Sequence, residues 1–165
     1  QFNTPIQNSP VNPFGLDFII FGNSGFVDVA WPSGIADGSL LGNNTGETRV
    51  SVSTDGIHFY TLNPALAPTV DGMFPTDGSG NFFQPVNPAL NGADFAGKNL
   101  AGIRALYVVS GGVAGCYLAW SLDGNWQSVS LPWVNFVRVD VLSGVSEIGG
   151  FAVVPEPAAG TLTLA

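Results

Sequence analysis

The side chains of this sequence that could move a proton, attack a carbonyl or hold a metal are few. They are twelve carboxylates, the single histidine His58 and the single cysteine Cys116. Paired carboxylates across a cleft would suit glycoside hydrolysis. Five of the nine aspartates, however, are followed directly by glycine: Asp37, Asp55, Asp71, Asp77 and Asp123. Asp-Gly is turn chemistry, because Asp hydrogen-bonds its own backbone and Gly accepts a positive φ. Asp17, Asp28, Asp94, Asp140, Glu47, Glu147 and Glu156 remain for acid/base work, and two of them facing each other across a cleft would make such a pair, a separation that only the fold sets. His58 lies between Ile57 and Phe59 just beyond a turn, and no Gly-x-Ser-x-Gly elbow supplies a nucleophile for it to serve. One histidine and one cysteine are also too few for a zinc site of those ligands. The sequence therefore favours a non-catalytic protein.

Two other chemistries have candidates. Asp77, Ser79 and Asn81 space oxygen ligands two apart, as at the start of a calcium-binding loop. The twelfth position is Pro88, where such a loop would carry its closing bidentate acid, so the motif is partial. Trp31, Trp120, Trp126 and Trp133 read first as core and rim aromatics; the sharper alternative makes Trp31 and Trp126, beside Asn/Asp loops, candidates for stacking on sugar rings. Cys116 reads as a small buried apolar residue. Asn43-Asn44-Thr45 has the form of a glycosylation sequon.

The elements that position these residues are strands. With 45% hydrophobic residues, 10% charged, 22 glycines and 12 prolines, the composition suits an all-β domain with many turns rather than a disordered chain. Phe18 to Phe21 is apolar on both faces and reads as a central strand closed by Gly22-Asn23. Arg49 to Ser53, the Asp55-Gly56 turn and His58 to Tyr60 read as a hairpin. Phe136 to Val141 alternates Val137, Val139 and Val141 against Arg138 and Asp140. Ala105 to Val109, Tyr117 to Ser121, Gln127 to Leu131 and Ile148 to Val154 complete the expected strands, with at most a helical turn or two between Ala93 and Leu100. The long Gly/Pro/Asn-rich stretches Pro32 to Gly46 and Asn63 to Asn91 read as loops. The architecture this predicts is an antiparallel β-sandwich or jelly roll of about eight to ten strands, from the usual pattern of short strands and frequent turns.

A net charge of -8, with only Arg49, Lys98, Arg104 and Arg138 as cations, leaves no basic patch for nucleic acid or an anionic membrane. No stretch reaches the roughly 18 consecutive apolar residues of a membrane span.

Four segments carry a resemblance: Asn12 to Asn23, Val50 to Gly56, Asn135 to Val139 and Glu147 to Ala152, followed by Val154-Pro155-Glu156-Pro157. In this order they resemble secreted bacterial proteins with a PEP-CTERM sorting signal, and the likeness spans nearly the whole sequence. The resemblance implies export through a cleaved leader, recognition of the Pro-Glu-Pro tail by a sorting enzyme, and a place at the cell surface or in an exopolysaccharide matrix. It divides the chain into a β-sandwich domain, 1–153, and a sorting tail, 154–165. The sequence departs from the pattern in three ways. The signal normally continues into a membrane helix and basic cluster, whereas this sequence stops at Ala165, as expected of a processed or partial chain. Similar proteins tend to have further β sequence before Gln1. They also often carry an acid near Tyr117 and at Gly149, so a metal site shared with them is weakened here. A sheet missing its first strand has an edge that a second copy can fill, which makes Gln1, Phe2, Leu162 and Leu164 expected contacts of an oligomer or filament. Two functional readings follow: a self-assembling structural protein, and a module that binds exopolysaccharide, with or without calcium.

Overall fold

The computed structural model describes residues 1–41, 47–70, 74–113 and 115–156. Among these the chain is mostly strands in antiparallel sheets, with two helices: β1 (Ile6–Gln7), β2 (Phe18–Phe21), β3 (Gly25–Asp28), β4 (Ala36–Leu41), β5 (Thr48–Ser53), β6 (Tyr60–Leu62), α1 (Gly92–Phe95), α2 (Leu100–Tyr107), β7 (Gly115–Cys116), β8 (Ser121–Leu122), β9 (Trp133–Val134), β10 (Phe136–Val141) and β11 (Gly150–Val153). The sequon Asn43-Asn44-Thr45 and the turn at Asp71 lie outside the described residues, as do Pro157, Leu162 and Leu164.

Strand β2 has no polar residue to turn toward water, and all four of its side chains are buried. It is the middle of a three-stranded sheet, β11-β2-β7, with Ile19 opposite Ala152 and Phe18 opposite Cys116. A four-stranded sheet runs β10-β5-β6-β8. Its register sets Val50 against Val139 and Val52 against Val137, while Arg49 meets Asp140 and Ser51 meets Arg138. Side chains alternate along a strand, so the four valines share one face and the polar residues the other. That valine face joins Phe18, Ile19, Ile20, Ile6, Leu62 and Val134 in a single buried cluster fed by both sheets. Each such side chain contributes about 1.5–3 kcal/mol on burial.

The first residues run along 132–135 of the same chain. Phe2 N–H donates to the Asn135 carbonyl (2.8 Å), Ile6 pairs with Val134, and Asn8 N–H donates to Pro132 (3.0 Å). The Phe2 ring packs on the core and meets Phe151 edge-on at 6.3 Å, so Phe2 is engaged within its own chain; Gln1 is exposed.

A second, smaller core corrects the sequence reading. Ala105 to Val109 was expected as a strand, but residues up to Tyr107 belong to α2. The Asn99 side chain caps it by accepting from Gly102 N–H (3.0 Å), and Ile103 and Tyr107, one turn apart, put an apolar face on an aromatic cluster. Tertiary packing there outweighs the β propensity of the Val108-Val109 end. Phe95 is the hub of that cluster, 4.8 Å from Phe26, 4.7 Å from Phe74 and 5.8 Å from Tyr107 between ring centres. Two other expected strands also shrink. Leu118–Trp120 is a 3-10 turn, and 127–131 forms no strand, although Ser128 bridges to Leu122 and Val129 N–H donates to Ser121. The expected loop from Pro32 to Gly46 contains β4, hairpinned to β3.

Strand β4 and α1 touch backbone to backbone. A Cβ on Gly38, whose φ is +90°, would lie 2.1 Å from the Gly92 carbonyl oxygen, and one on Gly92 would lie 2.5 Å from that of Gly38. Neither neighbour is a side chain that can swing away. Gly38→Ala should therefore lower the unfolding free energy by about 2–4 kcal/mol, combining the left-handed backbone with the clash. Gly25→Ala, with open space at its Cβ, should stay within about 0.5 kcal/mol of wild type. Urea unfolding of the two variants checks this, and equal midpoints would contradict the close contact.

Candidate functional site

Asp55 and Asp77 are committed to contacts within the chain. Asp55 Oδ1 accepts from the N–H groups of Ile57 and His58 (2.8 Å each) and from Ser53 Oγ (3.0 Å), while Oδ2 lies 2.7 Å from His58 Nδ1. Its acid stands between hydroxyl and imidazole. A catalytic triad needs the imidazole in the middle, so this Ser-Asp-His set locks the β5–β6 turn instead of activating Ser53. The His58 ring and the backbone donors hold the Asp55 carboxyl well below the usual range.

The Asp77 loop is built around a guanidinium. Arg104 Nε donates to Asp77 Oδ2 (2.7 Å) and Nη2 to Oδ1 (2.9 Å), a two-pronged pair that pulls the Asp77 carboxyl far down. Ser79 donates to the same Oδ1 from its N–H (3.0 Å) and Oγ (2.7 Å). Asn81 Oδ1 instead accepts from Phe83 N–H (2.9 Å). The structure thus brings Ser79 to Asp77 and turns Asn81 elsewhere, and a cation on Asp77 would compete with Arg104. Among the described residues no three His, Cys, Asp or Glu side chains cluster as metal ligands.

Both candidate tryptophans are exposed and sit on turns tied by aspartate. Trp31 is 87% exposed at the tip of the β3–β4 hairpin, next to a cis bond to Pro32. Asp28 Oδ1 fastens that loop by accepting from Ala30 N–H (2.9 Å) and Ile35 N–H (3.0 Å). Trp126 is 58% exposed, with φ at +62°. Its turn is closed by Asp123 Oδ1, which accepts from Asn125 (2.8 Å) and Gln127 (2.9 Å) N–H groups. Of the other two tryptophans, Trp120 packs against the core, and Trp133 lies in β9 and is 38% exposed.

Trp126 borders a cleft of about 350 Å³ whose other walls are Glu47, Thr48, Arg49, Pro64, Thr69 and Leu142. Arg49 faces Asp140 in the ladder, yet Asp140 Oδ2 is engaged by Arg138 Nε (3.2 Å), whose guanidinium also lies 4.3 Å from the centre of the Phe59 ring. Among the described residues the Arg49 guanidinium and the Glu47 carboxylate make no hydrogen bond or ion pair. An aromatic face therefore shares one concave surface with a donor and an acceptor that have no partner among the described residues. Sequence reading found Trp126 alone. Its partners come from the start of β5, the segment after β6 and the residue after β10, a grouping that only tertiary packing makes.

A separate groove of about 370 Å³ is apolar, lined by Phe21, Phe82, Phe83, Phe151 and Ala152 with Gly22, Thr76, Gly149 and Gly150. Of the sorting motif, Val154 is buried and donates its N–H to the Asp17 carbonyl (2.9 Å), while Pro155 and Glu156 are exposed. No helix among the described residues is long and apolar enough to cross a membrane. Compared with protein-family models, curated proteins and solved structures, the chain gives no match.

The remaining unusual acid is Asp17, fully buried with no cation beside it. Oδ1 accepts from Ser9 N–H (2.9 Å) and Asn12 Nδ2 (3.1 Å), and Oδ2 from Leu118 N–H (2.8 Å). Burial pushes its pKa up to about 6 in spite of those donors. A folded pKa above the unfolded value means that the native state holds the extra proton between about pH 4 and pH 6, so stability falls as pH rises through that window. Asp55 and Asp77, shifted down, lose their contributions only below it. Unfolding free energy should drop by about 2 kcal/mol between pH 4.5 and pH 7, and Asp17→Asn should remove that slope. Denaturant titrations at the two pH values measure it; the same slope in the variant would contradict the assignment.

Proposed function

We propose that this chain is a non-catalytic module of a secreted bacterial surface or matrix protein, that its two larger sheets pack as a β-sandwich, and that it binds extracellular polysaccharide. The observation that carries the reading is the Trp126 cleft, where an exposed indole on a fixed turn stands beside Glu47 and Arg49, whose side chains have no partner among the described residues. Rigid aromatics present a large face with little conformational entropy to lose, which suits the apolar side of a sugar ring. Trp31, on a second tied turn, offers another stacking face for a long polymer. The commitment of Asp55 and Asp77 to turn and ion-pair contacts supports the non-catalytic part. The placement at the cell surface rests on the PEP-CTERM resemblance, and no calcium is needed by this arrangement.

Affinity electrophoresis through gels containing neutral and acidic bacterial polysaccharides tests the reading. At least one polymer should retard the protein, Trp126→Ala should weaken that binding tenfold or more, and circular dichroism should be unchanged. The reading fails if no polymer retards it, or if Trp126→Ala and Trp31→Ala both migrate as wild type.

A second reading, self-assembly, has its own support. Strand β10, six residues long, is at the edge of its sheet, and among the described residues it pairs only with β5. An edge of that length can accept a strand from another copy. Light scattering between 1 and 100 µM should then show an oligomer, and a monomer throughout would count against assembly.

A further inference from the structure

We infer that the Trp126 cleft selects a neutral pyranose with adjacent hydroxyls, stacked on the indole and held between the Glu47 carboxylate and the Arg49 guanidinium. The inference rests on the polysaccharide-binding reading and names the class of sugar for its site.

Charge decides between neutral and acidic sugars. Glu47 and Arg49 together bring no net charge to the cleft. A uronate or sulfated sugar that approached Arg49 would also meet Glu47, and it would approach a chain of net charge -8. A neutral diol has no such conflict. An ionised carboxylate only accepts and a guanidinium only donates, so neighbouring hydroxyls, each able to do both, satisfy the two side chains at once. Hydrogen bonds to charged partners are stronger than neutral ones, which suits a ligand with no charge of its own.

Neither polar side chain has a hydrogen-bond or ion-pair partner among the described residues. Arg138 Nε engages Oδ2 of Asp140, the acid that faces Arg49 across the ladder. Thr48 Oγ1 already accepts from Val70 N–H (3.1 Å), which fixes that hydroxyl in the wall. Pro64 and Leu142 add apolar walls, the kind of surface that the C–H groups of a sugar ring cover. The cleft's 350 Å³ lies near the lower end of the range for ligand sites, about 300–1,000 Å³, and so suits one or two rings rather than a long stretch of polymer.

The test titrates the whole chain with dextran, mannan and galactan as neutral probes and with alginate and hyaluronate as acidic ones, by calorimetry. A neutral polymer should bind, with Glu47→Gln and Arg49→Gln each weakening it tenfold or more and Trp126→Ala removing it. All three positions are exposed, and circular dichroism confirms that the variants fold. Neutral binding that survives all three substitutions would overturn the site while leaving polysaccharide binding intact. Preference for alginate or hyaluronate, strengthened in Glu47→Gln, would overturn the sugar class. Binding to none of the five would overturn both the inference and the reading beneath it.

Discussion

The buried carboxylate of Asp17, set immediately before the fully buried strand β2, is the constraint on which the rest of the architecture depends. A strand with apolar side chains on both faces must be covered on both, and the segments that cover it have to be tied down. Asp17 ties three of them. Its carboxylate gathers Ser9, Asn12 and Leu118, its N–H donates to the Cys116 carbonyl (2.8 Å), and its carbonyl accepts from Val154. Each donor would cost about 1–3 kcal/mol if left buried without its acceptor. The same burial makes Cys116 inert: its thiol is fully buried and pushed up to about 12, with the Asp17 charge adding to the desolvation.

Outside the core the acids play a second structural part. Asp28, Asp55, Asp77 and Asp123 each accept backbone N–H groups a few residues along and so fix a turn. Two of those turns, at Asp28 and Asp123, display Trp31 and Trp126. This links composition to the display of aromatic side chains through local structure. A chain with few charges uses its aspartates to hold exposed aromatics in place, and a preorganised aromatic binds with less ordering cost than one on a free loop.

Much of the sheet structure was legible in the sequence. Unbroken apolarity marked β2, period-two valines marked β10, and Asp55-Gly56 marked the β5–β6 hairpin, since each of these signals is local. The aromatic sub-core was not legible, because Ala105 to Val109 has the composition of a strand and becomes largely helical only against Phe95 and Phe26. The Asn99 cap was the available signal for it. Of the residues lining the Trp126 cleft, only Trp126 is marked in the sequence, by its Asp-Gly turn; Glu47 and Arg49 lie some eighty residues away and join it only in the folded chain. Likewise the even spacing of Asp77, Ser79 and Asn81 gave no hint that Arg104, twenty-seven residues past Asp77, would supply the cation.

The central claim is that the Trp126 cleft is the surface that meets carbohydrate. The most direct measurement follows the four indole N–H signals of Trp31, Trp120, Trp126 and Trp133 by two-dimensional NMR while a short neutral oligosaccharide is added. The account predicts a saturable shift of the Trp126 signal, with those of core-packed Trp120 and strand residue Trp133 unmoved. A Trp126 signal that stays fixed while the oligosaccharide binds would contradict it.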